Sequence, residues 1–174
     1  MDKKTETFND CFNHVFNSDS KVLILGTNPP PDSREVGFYY SGPRNHFWSI
    51  IATVFDEDEP KNIEDKKRFC FEHKIALWDV FKSCDRVGSS DNTIVNPVVN
   101  DIKSLLQVSN IEHVFCLGKV AYFAYSIYRN IVDPSMPDAV RLISSSGLAF
   151  ASQGQNKLLA DYKKIRETVE GNRD

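Results

Sequence analysis

Two asparagines, three consecutive prolines and five aromatic rings fall within Gly26–Trp48, which reads GTNPPPDSREVGFYYSGPRNHFW. An apolar run, Val22-Leu23-Ile24-Leu25, leads directly into it. An apolar run that ends in glycine and opens into a polar loop is how an α/β protein places a site at a strand's carboxyl edge. Asn28 stands just past that run. Its amide can donate and accept, so it can orient a water or read a base edge; equally, it can close an Asx-turn that holds the loop. Asn45 precedes the apolar-periodic segment Phe47–Val54 and has the same two readings, a reacting amide or a helix N-cap. Tyr39 and Tyr40 can pack on the core. An aromatic face beside an amide edge is also how a nucleobase swung out of a helix is held.

A second candidate stretch is Ser144-Ser145-Ser146-Gly147-Leu148, which follows the apolar run Val140–Ile143. Small residues let backbone N–H groups approach a phosphate, and hydroxyls add donors. The plain alternative is a turn that caps a helix. Leu148 is then either a plug into the core or an apolar wedge that enters a base stack. None of His46, His73 and His113 is paired with a Ser or Cys in a nucleophile motif, and there is no G-x-S-x-G elbow. Gly118-Lys119 is too short for a phosphate-binding P-loop.

These residues need a frame, and the hydrophobic pattern supplies one. Helical spacing is read over Phe8–Phe16, His46–Phe55, Asn62–His73, Pro97–Gln107, Lys119–Ile127 and Gln155–Glu170. Buried strands are read at Lys21–Leu25, Ile75–Val80, His113–Leu117 and Val140–Ile143. Strands alternating with helices predict a mostly parallel sheet with helices on both faces. The loops at 26–45, 83–96 and 144–147 then meet at the strands' carboxyl ends, where such sheets bind ligands.

With 174 residues, no linker and no internal repeat, the chain is expected to form one domain over 1–174. Its 41% hydrophobic and 26% charged residues fit a globular protein. No apolar stretch is long enough to span a membrane, and the N-terminus MDKKTETFNDCFNHVF does not read as a secretory signal. A cytoplasmic location is expected, nucleoid-associated if the source is bacterial. Cys11, Cys70, Cys84 and Cys116 lack zinc or cluster spacing and are read as reduced thiols; no metal site is expected. A net charge of −3 argues against a general polyanion binder. It is compatible with gripping one nucleotide through backbone N–H groups and a few cations. Asp56–Glu59 is read as a solvated loop.

In order along the chain, these motifs resemble the uracil-DNA glycosylase superfamily. Gly26-Thr27-Asn28-Pro29 resembles the G-x-N-P-G motif of the mismatch-specific uracil/thymine branch, and Ser144–Leu148 its N-P-S-G-L motif. Tyr39-Tyr40, Pro43-Arg44-Asn45, Phe47-Trp48, Ala76–Val80, Ser83–Arg86 and Gly88-Ser89 are similar to the hypoxanthine-DNA glycosylase branch. Leu117-Gly118-Lys119 with Ala121 resembles the third-strand motif.

The resemblance implies a three-layer α/β/α sandwich around a four-stranded parallel sheet, with central strands from both halves of the chain. It implies monofunctional cleavage of an N-glycosidic bond in DNA holding a damaged or mismatched base, without metal or cofactor, by a monomer. By position, Asn28 matches the asparagine that supports the attacking water in one branch, and Asn45 the catalytic asparagine of the other. Tyr40 matches the ring that stacks on the flipped base. Gly26, Thr27, Pro29 and Tyr39 complete the expected base pocket. Ser144, Ser145, Ser146 and Gly147 match the loop that compresses the DNA backbone, and Leu148 its wedge. The chain departs from the pattern at Pro30, which replaces a glycine, and at Ser144-Ser145. It also lacks a histidine in the second motif and continues with Ala149 and Phe150. These departures leave two further readings: a domain that binds DNA or a nucleobase without cleaving it, and a different small-molecule enzyme on a similar frame.

Overall fold

The computed structural model describes residues 4–8, 11–88 and 90–171. Seven strands run in chain order: β1 (Glu6–Phe8), β2 (Val22–Gly26), β3 (Ile75–Asp79), β4 (Phe81–Arg86), β5 (Val95–Val99), β6 (His113–Leu117) and β7 (Ala139–Leu142). The helices are α1 (Pro31–Val36), α2 (Phe47–Val54), α3 (Ile63–Glu72), α4 (Ile102–Gln107), α5 (Lys119–Val132), α6 (Gly147–Gln153) and α7 (Gln155–Glu170).

β3, β2, β6 and β7 form a parallel sheet in that order. Its two central strands come from opposite halves of the chain, as the resemblance implies. β2 is buried over its whole length, which is why it reads as a continuous apolar run rather than an alternating one. Alternation still sorts its side chains. Val22 and Ile24 join the core under α2, α3 and α7, while Leu23 and Leu25 join the core under α4 and α5. Two cores divided by one sheet make the three-layer sandwich.

Three sequence expectations fail. Phe8 ends β1, and no helix follows it among the described residues; Val15 instead exchanges two backbone hydrogen bonds of 2.9 Å with Leu77. The helix-like spacing comes from side chains inserted one at a time, with Phe12 edge-on to Tyr39 and Val15 in the core. This segment covers the outer edge of β3, where free backbone groups would otherwise invite pairing. Pro97 lies in β5, not in a first helical turn, and the helix begins at Ile102 after Asp101, whose side chain accepts from Ser104 N at 3.2 Å. Four β-branched or edge-tolerant positions around Pro97 favour the strand, and an edge strand tolerates the missing N–H. The third miss is a second sheet, β1-β4-β5, antiparallel and packed beside the site. Ser89 of the Gly88-Ser89 pair lies outside the described residues. No described helix is long and apolar enough to cross a membrane.

Candidate active site

The loop after β2 is short-tethered rather than open. Gly26 O accepts from Val80 N at 2.8 Å and Thr27 O from Phe81 N at 2.9 Å, so the chain after β3 lies along it. Asn28 is 3% exposed; its Nδ2 donates to Phe81 O at 3.3 Å and its Oδ1 accepts from Arg34 Nη2 at 3.2 Å. Arg34 also donates from Nε to Pro29 O and lies 3.7 Å above the Phe8 ring. Arg34 comes from α1, the element hidden inside the loop. Pro30 is its N-cap residue and Pro31 its first helical residue, and Pro30 O accepts from Ser33 N and Arg34 N. The proline run therefore starts a helix, where a missing N–H costs nothing.

Arg86 pins the same loop from β4. Its side chain is almost wholly buried and donates to Asn28 O at 3.0 Å, Gly88 O at 3.1 Å and Asp91 Oδ1 at 3.2 Å. Thr27 Oγ1 donates to that same Asp91 oxygen at 2.8 Å. The side chain of Thr27 and the carbonyl of Pro29 are thus committed to the scaffold, leaving the loop backbone as their contribution to any pocket.

Tyr39 and Tyr40 diverge. Tyr39 is 2% exposed and its hydroxyl donates to the carbonyls of Phe12 and Asn13, so it is a strut under the loop. Burial pushes its phenol far above the ordinary tyrosine range. Tyr40 takes a left-handed backbone (φ 52°) and lays its ring over Phe47, centroids 4.4 Å apart. Its hydroxyl reaches Gly26, where a Cβ would sit 2.9 Å from it and 2.7 Å from Asp79 Oδ1. Only glycine fits there. Burial, reinforced by Asp91 and opposed by Arg86 and Arg34, pushes the Asp79 carboxyl up to about 7.

Asn45 stands at the head of α2. Its Oδ1 accepts from Phe47 N at 2.9 Å, so it does cap the helix, while the side chain remains half-exposed. The next residue joins α2 to the second stretch: His46 N donates to Ser145 O at 2.9 Å. Ser145 is buried; Ser146 caps α6, accepting from Ala149 N at 3.2 Å. A Cβ on Gly147 would lie 2.9 Å from Arg44 O. Leu148 is 84% exposed, which rules out a plug into the core. The structure thus brings Gly26–Asn28, Tyr40, Asn45 and Ser144–Leu148 to one end of the parallel sheet.

The model of the uracil DNA glycosylase superfamily matches residues 14–169. The chain belongs to the uracil DNA glycosylase superfamily. By family it is a DNA glycosylase, a hydrolase of N-glycosyl bonds. A hypoxanthine DNA glycosylase of Methanosarcina barkeri is 30% identical over 138 residues, which cover 78% of this chain and 85% of that one. One from Methanosarcina acetivorans is 34% identical over 98 residues, 56% of this chain and 62% of the relative. A solution NMR structure of a candidate uracil DNA glycosylase from M. acetivorans superposes with a TM-score of 0.75 at 25% identity, covering 92% of this chain and 99% of that one.

Within the glycosylase fold, the sequence reading missed Asp79, Arg34, Arg86 and Asp91 as site residues. A signal existed for the first: an acidic residue closing an apolar strand, Ala76-Leu77-Trp78-Asp79, at the sheet edge that binds ligands. Nothing local marks Arg86 or Asp91, because their importance comes from an antiparallel sheet that periodicity did not reveal.

Proposed function

We propose that this glycosylase excises a flipped deaminated base, hypoxanthine first and uracil or mismatched thymine less readily, from DNA. The observation that carries the reading is the rigid union of the two motif loops. Gly147 closes on Arg44 O, and Ser145 O receives His46 N, so an exposed leucine is fixed at a set position relative to Asn28, Tyr40 and Asn45. A wedge and a pocket held in register are what base flipping needs. The names of the two Methanosarcina relatives support hypoxanthine as the base.

Flipping costs roughly a few kcal/mol, least where pairing is already poor. Leu148 fills the vacated space, the hydroxyl-rich turn at 144–146 meets the flanking phosphates, and the base stacks on Tyr40. The bond from C1′ to the base nitrogen then breaks with its electron pair leaving on the base, and positive charge builds on the sugar. Water adds to C1′ from the opposite side and loses its proton. Asn45 supplies the accessible amide: its Oδ1 is held by the helix, and its Nδ2 is left to orient a base or sugar oxygen. Asn28 has one lone pair on Arg34 and a second to hold water. Amides are poor bases, so the acceleration comes from placement and fixed dipoles, and turnover is slow.

The test is abasic-site formation on duplexes carrying one deoxyinosine, one deoxyuridine or one mismatched thymine, at enzyme excess. Cleavage fastest at deoxyinosine supports the reading. Binding of all three without product replaces it with the non-cleaving domain.

A further inference from the structure

Two buried polar atoms beside Gly26 lack hydrogen-bond partners among the described residues, Asp79 Oδ2 and the hydroxyl of Tyr40. Asp79 is 3% exposed, and it and Tyr40 both close on the same face of Gly26, where an added Cβ would touch each. Buried polar groups are almost always paired, and leaving one unpaired is costly. An acceptor and a donor left open together, at the sheet edge that holds the candidate asparagines, form a hydrogen-bonding set that a ligand can complete. Its chemistry is specific. A carboxylate only accepts and a phenol can donate, which complements a ring N–H next to a carbonyl, the lactam edge.

We propose that Asp79 is a specificity-determining residue: its carboxylate accepts the ring N–H of a lactam base while the Tyr40 hydroxyl donates to the adjacent carbonyl oxygen. This rests on the glycosylase reading above and names the part of the base that is read. Hypoxanthine offers N1–H beside O6, and uracil offers N3–H beside O4. Adenine, the parent of hypoxanthine, presents a bare N1 lone pair to the carboxylate and is repelled. Guanine shares the edge, so its exclusion falls to its 2-amino group and its stronger pairing. The surrounding charges keep the acid usable. Arg86 and Arg34 favour its ionised form, Asp91 opposes it, and the carboxyl pushed up to about 7 is ionised in mildly alkaline solution.

The experiment compares single-turnover cleavage at pH 8 of two duplexes, one with deoxyinosine and one with unsubstituted purine, which lacks both O6 and N1–H. Asp79→Asn is expected to lower the deoxyinosine-to-purine rate ratio roughly tenfold or more, the size of one charged acceptor lost. Tyr40→Phe, which removes only the hydroxyl, is expected to lower the same ratio by a smaller factor and guards against misfolding of the first variant. Equal losses on both duplexes in both variants would assign these side chains to structure and overturn this inference alone. Absence of cleavage of either base by the unaltered protein overturns the glycosylase reading and this inference with it.

Discussion

The imidazole of His46 lies flat on the ring of Phe150, centroids 3.7 Å apart and planes 10° from parallel. His46 begins α2 directly after Asn45, and Phe150 sits in α6 two residues beyond Leu148. The stack therefore ties the amide side of the site to the wedge. Phe150, a departure from the family motif at sequence level, gains a role from it. A ring pair of this kind contributes about 0.5–1.5 kcal/mol beyond area. Phe150→Ala is expected to lower stability by about 1 kcal/mol or more in urea titration. It should slow single-turnover excision beyond what the unfolded fraction explains. Unchanged excision would show that the stack does not hold the wedge.

Leu148 offers the opposite profile. It buries almost nothing in the free protein, so Leu148→Ala is expected to shift stability by no more than about 0.5 kcal/mol. Excision from a paired duplex should fall sharply, and excision from a single strand, which needs no gap filled, should fall far less. Equal loss on both substrates would remove the wedge role.

Asp79 makes stability pH-dependent in the direction opposite to most carboxylates. Its folded value of about 7 lies above the ordinary carboxylate value, so the folded protein binds this proton more tightly than the unfolded chain does. The contribution is complete below about pH 4 and is lost as pH rises through 7. A shift of this size corresponds to something on the order of 4 kcal/mol. Asp79→Asn removes the burden, so thermal unfolding at pH 8 should show a variant more stable than the parent, with the gap closing toward pH 5. A variant destabilised at pH 8 would mean that the carboxylate is paired and structural. The pairing of raised stability with lost base discrimination is the trade expected of a functional, unsatisfied group.

Gly26 fixes how close these groups stand. An alanine there would place Cβ 2.7 Å from Asp79 Oδ1 and 2.9 Å from the Tyr40 hydroxyl. Both atoms sit on buried side chains with little room to retreat. Gly26→Ala is expected to cost about 1–3 kcal/mol of stability and to displace Tyr40. Intrinsic fluorescence and a melting curve would report both, and a neutral melting curve would contradict the close packing.

The parallel sheet was legible because each of its strands is short, apolar and followed by a glycine or polar loop, and because α2, α3 and α7 carry unbroken apolar faces. β4 and β5 were not. Phe81–Arg86 alternates only loosely, and Val95–Val99 is mostly exposed, so their pairing depends on β1 and on bulged register rather than on a buried face. α1 was hidden by its own prolines, which suggest a rigid loop until Pro30 and Pro31 are seen to start a helix. The site followed the same division. Asn28, Tyr40, Asn45 and Leu148 stand out by type and place, whereas Arg86 and Asp91 acquire meaning only when the second sheet carries them to the loop. Tyr39 and Tyr40 are adjacent and chemically alike, and only the left-handed turn at Tyr40 separates strut from pocket ring.

The two asparagines can be told apart by what each loses. Asn28 is buried with bonds to Phe81 O and Arg34, so Asn28→Ala leaves those groups short of partners and is expected to cost about 1–3 kcal/mol. Asn45→Ala removes the cap on Phe47 N and is expected to cost about 0.5–2 kcal/mol. Stability alone therefore does not separate them, and the rates must be read at a temperature where both variants are folded. If Asn45 carries the reacting amide, Asn45→Ala lowers single-turnover excision of deoxyinosine by orders of magnitude. Asn45→Asp keeps the cap and restores the fold, but not the rate, because the Nδ2 donor is gone. If Asn28 holds the water, Asn28→Ala slows excision while binding to the deoxyinosine duplex is retained. A rate recovered in full by Asn45→Asp would reduce Asn45 to a helix cap and leave the chemistry to Asn28.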